Sequence, residues 1–196
     1  MANLNNPANV SVGKPVATGC VFVGPHYDPQ AASPITLPTQ LGADGSLTGY
    51  TCVGYLSEDG ITDGVETSTT ELKVYGGVVV DTTLDEFKEK YSFTMVEVLN
   101  EAAQKLAWGT DAVGNGYVDH GPGGFNEDSR VIVIANALKG DKVSFKVIPF
   151  GKLNSLSDIS YTDSDLIGYE VEILAASGGF ADDPEATSRE YIYTAE

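Results

Sequence analysis

Leu84 to Gly109, LDEFKEKYSFTMVEVLNEAAQKLAWG, changes its hydrophobic period partway along. Phe87, Tyr91, Phe93 and Met95 fall on one side while Lys88, Lys90, Ser92 and Thr94 fall on the other, a period of two with one apolar face. This predicts an amphipathic antiparallel strand. Val96 and Val98 then put apolar groups on the formerly polar side, where something must pack. The following residues supply a helix. Asn100 is a suitable N-cap, because its side-chain oxygen can accept from the orphan amides of a first turn, and Glu101 sits at the positive end of the dipole. Leu99, Ala102, Ala103, Leu106 and Ala107 recur at helical spacing, Lys105 lies near the C-terminal end, and Gly109 supplies the stop. So short a helix is marginal alone and must lean on sheet. Val96, Val98, Leu99, Ala103 and Leu106 are the expected helix–sheet packing residues.

Sheet is expected on both sides of this unit. Val16–Val23, VATGCVFV, reads as a strand closed by Gly24 and Pro25. Residues 26–46 carry Pro29, Pro34 and Pro38 with little periodicity and read as a surface loop or arm. Between Tyr50 and Val80, TCVGYLS and TTELKVYGGVVV look like strands separated by a polar turn, EDGITDGVETS, with Gly76–Gly77 as a second turn or bulge. Residues 111–129 are glycine-rich and read as a mobile loop. RVIVIANAL, KGDK and VSFKVI then form a hairpin pattern, and IGYEVEILA alternates Ile167, Tyr169, Val171 and Ile173 against Glu170 and Glu172. Residues 182–196 are a C-terminal extension ending in an edge strand at Tyr191–Thr194. The fold class expected is mainly β, an antiparallel sandwich or barrel with one flanking short α-helix, in one domain spanning 1–196.

Composition narrows the function. The chain has 28 acidic and 11 basic residues, a formal charge of −17, which excludes a nucleic-acid-binding patch. MANLNNPANVSVG has neither a basic start nor an apolar core, and no apolar run approaches the ~18 residues of a membrane span. A protein made and kept in the cytosol, with no membrane insertion, is expected. Cys20 and Cys52 then read as thiols, a disulfide between them being the alternative.

Catalytic constellations are lacking. His26 and His120 have no ligand companions at metal spacing, GNGYVDHGPGG lacks the lysine of a phosphate loop, and DGITDGVE and YTDSDLIG lack the twelve-position calcium pattern. No GxSxG or SxxK occurs. The expectation is no enzyme, no cofactor and no metal. The remaining oddity is acidity placed on strands, at Glu89, Glu97, Glu170 and Glu172, where carboxylates form a solvated face or line a cavity.

YLSEDGITD, KVYGGVVV, YSFTMVEVLNEAAQKLAWG, a hairpin and YTDSDLIGYEVEILA, in that order from Tyr50 to about Ala175, resemble the major tail tube proteins of long-tailed bacteriophages (siphoviruses). Residues 26–46 and 111–129 depart from that pattern. The resemblance implies a structural virion protein assembled in the host bacterial cytoplasm, whose hexameric rings stack into a tail tube. Its partners would be further copies, a tape-measure protein, a tail terminator and distal tail or baseplate proteins. Double-stranded DNA would pass without sticking through an acidic lumen, with Asp63, Glu66 and Glu71 on or beside lumen strands. The resemblance also implies that Asp59–Ser68 is a loop that orders on docking. A tailocin, gene-transfer particle or injection-system tube would share the fold. A β-sandwich carbohydrate-binding module, stacking sugars on tyrosines, is the alternative of a different class.

Overall fold

The computed structural model describes residues 9–31 and 34–195; the N-terminal stretch 1–8, residues 32–33 of the proline-rich segment and residue 196 lie outside the described residues. Eleven strands and two α-helices follow one another in chain order. The strands are β1 (Lys14–Pro15), β2 (Val21–Val23), β3 (Thr51–Cys52), β4 (Leu56–Lys73), β5 (Val79–Met95), β6 (Val113–Gly114), β7 (Tyr117–Val118), β8 (Arg130–Leu138), β9 (Lys142–Leu156), β10 (Tyr169–Ala176) and β11 (Arg189–Thr194). The helices are α1 (Glu101–Trp108) and α2 (Gly123–Asn126). Nine strands form one antiparallel sheet in the order β3-β2-β8-β9-β10-β5-β4, with β1 added beside β8 and β11 beside β9. The fold is mainly β, as the alternation implied.

The sheet has apolar groups on both faces at its centre, where strands read as continuous hydrophobic runs rather than alternating ones. Ile132 and Ile134 of β8 join Val21, Tyr91, Phe93, Met95, Val171 and Ile173 in the larger core. Val131, Val133 and Ala135 face the opposite way, into a second core with Phe22, Phe145 and Val147. β9 serves both β8 and β10 because it bends: between Ile148 and Gly151 its register against β8 shifts, and Pro149 sits in that irregularity. A proline without an amide donor belongs at such a bulge.

Helix α1 closes the larger core. Asn100 Oδ1 accepts from Ala102 N, Gly109 (φ 103°) donates to Lys105 O, and Ala103, Leu106 and Ala107 are buried. Val98 packs at the margin of this core and Val96 is half-buried. Leu99 corrects the expected stripe. It is 91% exposed because it lies before the cap, outside the helical turn that would have aimed it inward.

Three further readings change. The expected turn EDGITDGVETS is strand throughout, since β4 runs unbroken from Leu56 to Lys73 and pairs with β5; Asp59–Ser68 is therefore already ordered. Its glycines and acids mark an irregular and exposed strand, not a break: residues 57–60 bulge between the Leu56↔Met95 and Ile61↔Phe93 pairs. The glycine-rich segment 111–129 holds the small β6–β7 hairpin and the additional helix α2, which packs beside α1 where Gly109 and Gly123–Gly124 permit close backbone approach. The proline-rich segment is irregular but not free: Tyr27, Leu37 and Leu41 pack on the second core, and Leu41 N donates to Tyr193 Oη at 2.9 Å.

Candidate assembly surface

Beyond the body, β4 and β5 continue as a two-stranded ribbon with no third strand on either side among the described residues. β10 pairs with β5 only from Glu89 to Met95, so from Val79 to Lys88 that edge of β5 is unpaired, as is the outer edge of β4. Every residue from Val65 to Phe87 is exposed. The ribbon ends in a tight turn in which Val74 N donates to Val78 O at 3.0 Å, with Gly76 and Gly77 at φ 103° and 85°. Those positive values exclude most side chains.

Register separates the ribbon into two unlike faces. The pairs Val65↔Glu89, Thr67↔Phe87, Thr69↔Leu84 and Lys73↔Val79 share a face with Asp63↔Tyr91 and Ile61↔Phe93. That face is an outward continuation of the larger core and carries Val65, Val79, Leu84 and Phe87 uncovered, with Leu84 60% and Phe87 47% exposed. The opposite face is polar. It carries Glu66, Asp81, Glu86, Lys88 and Lys90, extended across β10 and β9 by Glu170, Glu172 and Lys152. Asp85, in the bulge of β5, joins it by accepting from Thr70 Oγ1 at 2.5 Å.

Two of the polar face's lysines are engaged by carboxylates. Lys88 pairs with Glu86 at 2.6 Å, and Lys90 lies between Glu66 (3.1 Å) and Glu172 (3.6 Å). The hydrogen bond to Glu66, with help from Glu172, holds the Lys90 ammonium above its usual range. With six carboxylates (Glu66, Asp81, Asp85, Glu86, Glu170, Glu172) against three lysines, the face keeps an acidic excess after pairing.

Asp63, Glu66 and Glu71 do not share one face. Glu66 is on the polar side, opposite Lys88, whereas Asp63 and Glu71 are on the side of Tyr91 and Thr82. Asp63 pairs with Lys146 at the ribbon's root, and Glu71 pairs with Lys73 at 3.0 Å near the tip. Sequence proximity grouped them; an odd spacing from 63 to 66 along a strand separates them. Lys88 and Lys90 lie on the polar side of β5 as their alternation with Phe87 and Tyr91 implies, and Glu86, two residues before Lys88, carries the same signal.

The root of the ribbon is clamped from both sides. Glu89, only 7% exposed, accepts from Tyr91 Oη, Thr187 Oγ1 and Ser188 Oγ, the last at 2.9 Å. Three hydroxyl donors satisfy a carboxylate that would otherwise be costly to bury. Burial, reinforced by the Glu89 bond, pushes the Tyr91 phenol up, and Lys146 Nζ lies 5.3 Å from the Tyr91 ring centre. On the other side Glu97 accepts from Tyr55 N at 2.8 Å and Asn100 Nδ2 at 3.1 Å, and its carboxylate occupies the space a side chain on Gly54 (φ 89°) would need.

Other sequence candidates have ordinary surroundings. Cys20 and Cys52 are free thiols, with burial pushing Cys20 up to about 11. His26 contacts Ser129 O at 2.8 Å, and the His120 ring stacks on Trp108 with centroids 4.2 Å apart. Among the described residues no group of three or more His, Cys, Asp or Glu side chains is arranged to hold a metal. No described helix is long and apolar enough to cross a membrane.

Comparison of the sequence with family models and with curated proteins found no match. Among solved structures, the chain is similar to one in the PVC sheath–tube complex of an extracellular contractile injection system in its extended state, with 10% identity, 92% of each chain covered and a TM-score of 0.39. It is also similar to the anti-feeding prophage cap, a tube-terminating cap, with 11% identity over 95% of this chain and 96% of that one and a TM-score of 0.42. At such scores neither likeness decides the fold or the role of this chain.

Proposed function

We propose that this chain is the subunit of a phage-tail-like tube, in which six copies form a ring and the rings stack around a lumen that conducts double-stranded DNA. The observation that carries this reading is the projecting β4–β5 ribbon, with two unpaired edges and an uncovered apolar face. A two-stranded hairpin is marginal in water by itself, and bare edges of this length invite pairing with another chain. Seating the β4 edge of one copy beside the β9-β10-β5-β4 strands of the next covers these edges, and closing the ring leaves no edge open.

The numbers fit a conduit. The sheet ends in the order β9-β10-β5-β4, so each copy offers four consecutive strands. Six copies give roughly 24 strands, which at ~4.8 Å spacing and a tilt near ~45° make a wall roughly 50 Å across, wider inside than a duplex. The apolar ribbon face turns outward against neighbouring bodies and the polar face turns to the lumen. Its acidic excess repels a duplex carrying one negative charge per ~1.7 Å, which keeps DNA sliding rather than bound. In this arrangement Glu66, Glu86 and Glu172 line the lumen, while Asp63 and Glu71 belong to contacts between copies. The protein then acts mechanically, without catalysis, in a tail assembled with tape-measure, terminator and baseplate proteins in the host cytoplasm.

Mass photometry and negative-stain electron microscopy over a concentration series test the assembly. Sixfold rings or hollow tubes are expected, and a chain that remains monomeric at every concentration overturns the reading. Tubes carrying Glu66→Lys, Glu86→Lys and Glu172→Lys are expected to retain a short fluorescent duplex that unaltered tubes release; equal release by both would overturn the lumen assignment.

A further inference from the structure

The tip of the ribbon and a groove at its root are chemically complementary, and we propose that each tip seats in the root groove of a copy in the next ring. This rests on the tube reading and specifies the contact that joins rings. The groove has a volume of about 950 Å³ and lies between the segment before β2 and the start of β4, with Val16, Ala17, Tyr55, Leu56 and Ile61 among its walls. It is near the upper limit of small-ligand sites, roughly 300–1,000 Å³.

Its deeper polar groups are already committed. Glu97 holds Tyr55 N and Asn100, Asn136 Oδ1 accepts from Cys20 Sγ at 3.2 Å, and Thr18 Oγ1 donates to Gly45 O at 2.7 Å. That leaves the side chains of Val16, Ala17, Leu56 and Ile61 as an apolar patch beside Glu58 and Asp59, both exposed on the bulge of β4, and among the described residues no lysine or arginine lines the groove. An occupant with an apolar body and no acidic residue of its own is what such a surface selects.

The tip has that composition. Residues 72–80, LKVYGGVVV, contain no acidic residue in a chain with 28 acids, and their one lysine, Lys73, pairs with Glu71 just outside the stretch. Tyr75 is wholly exposed, at 108%, and the two-glycine turn presents it at the end of the ribbon. Among subunits of net charge −17, this is a stretch that can approach an acidic rim without repulsion. It cannot reach its own groove: twelve residues of β4 separate Ile61 from Lys73, about 40 Å at 3.3 Å per residue. The contact is therefore between copies and joins unlike surfaces, so it propagates along the strand direction as a stack instead of closing on itself. With strands tilted ~35–45°, that reach projects to an axial repeat on the order of 30 Å.

The test combines Tyr75→Ser with a disulfide trap, Tyr75→Cys plus Ala17→Cys in a Cys52→Ser background. Tyr75 is fully exposed, so thermal melting should match the unaltered protein. Tyr75→Ser is expected to leave sixfold rings intact by mass photometry while shortening tubes at least tenfold in micrographs, and oxidised double-cysteine tubes should run as a non-reducing ladder absent from either single variant. Tubes of normal length from Tyr75→Ser, or no ladder from double-cysteine tubes, overturns the contact and leaves the tube reading standing. Failure of the unaltered chain to form rings overturns both.

Discussion

The two halves of β5 belong to one strand and present apolar side chains to the same face, yet one is core and the other surface. Tyr91, Phe93 and Met95 are buried, whereas Val79, Leu84 and Phe87, on the same face of the same strand, are exposed. The inner half has β4 and β10 as neighbours and the larger core across from it; the outer half has β4 alone. Alternation therefore specifies which side of a strand is apolar, and topology decides whether anything covers it. Full burial of an aliphatic or aromatic side chain stabilises by about 1.5–3 kcal/mol, so covering the half-exposed ribbon face is worth roughly 1 kcal/mol per residue. Within one copy that free energy is not collected; the proposed ring is where it would become available.

The sharpest way to break this comparison is to make the same truncation in both environments. Phe145→Ala, in the second core, should destabilise the monomer by about 3–5 kcal/mol in urea unfolding. Phe87→Ala should change it by no more than about 0.5 kcal/mol and instead weaken ring formation. Comparable losses would mean that the ribbon face is already covered in the monomer.

Glu89 sits at the boundary between the halves. Glu89→Ala leaves the Tyr91, Thr187 and Ser188 hydroxyls without their acceptor and should cost about 1–3 kcal/mol, with Glu89→Gln recovering part of it. An unchanged midpoint for Glu89→Ala would show that the C-terminal residues do not hold the ribbon's root. A smaller contrast lies within the strand-to-helix passage: Asn100→Ala should cost about 1 kcal/mol through the lost cap, while Leu99→Ala, one residue earlier, should fall within about 0.5 kcal/mol.

A contrast that belongs to the body alone is expected from pH on the alkaline side. Burial pushes the Tyr50 phenol from 10.0 to about 12, and Tyr91 is raised too, so both stay neutral in the folded chain after the unfolded chain begins to ionise. Their contribution is complete below pH 10.0 and fades as pH rises from there toward about 12 and beyond. Thermal melts that strengthen across that range would contradict the assigned burial, which belongs to the body and not to the ribbon.

Much of the body was legible in the residues. The β8–β9 hairpin, β10, the β5-to-α1 passage, the Asn100 cap and the Gly109 stop follow from local period and capping chemistry. The candidate site was legible only in part. EDGITDGVETS has the composition of a turn, and it is strand because β5 lies beside it; the long ladder outweighs weak local propensity. Asp63, Glu66 and Glu71 were identifiable as acids near one another, but which face each occupies depends on a register that only pairing reveals.

The sequence by itself determined the antiparallel β class, the acidic surface, the amphipathic strand and its helix, because these depend on side-chain period, charge count and capping groups close along the chain. Tertiary structure decided that β8 is buried on both faces, that Glu89 is satisfied by residues nearly a hundred positions away, and that half of β5 extends beyond the body as an uncovered ribbon. Those outcomes depend on which distant strands lie alongside one another, and a two-residue alternation carries no information about its neighbours.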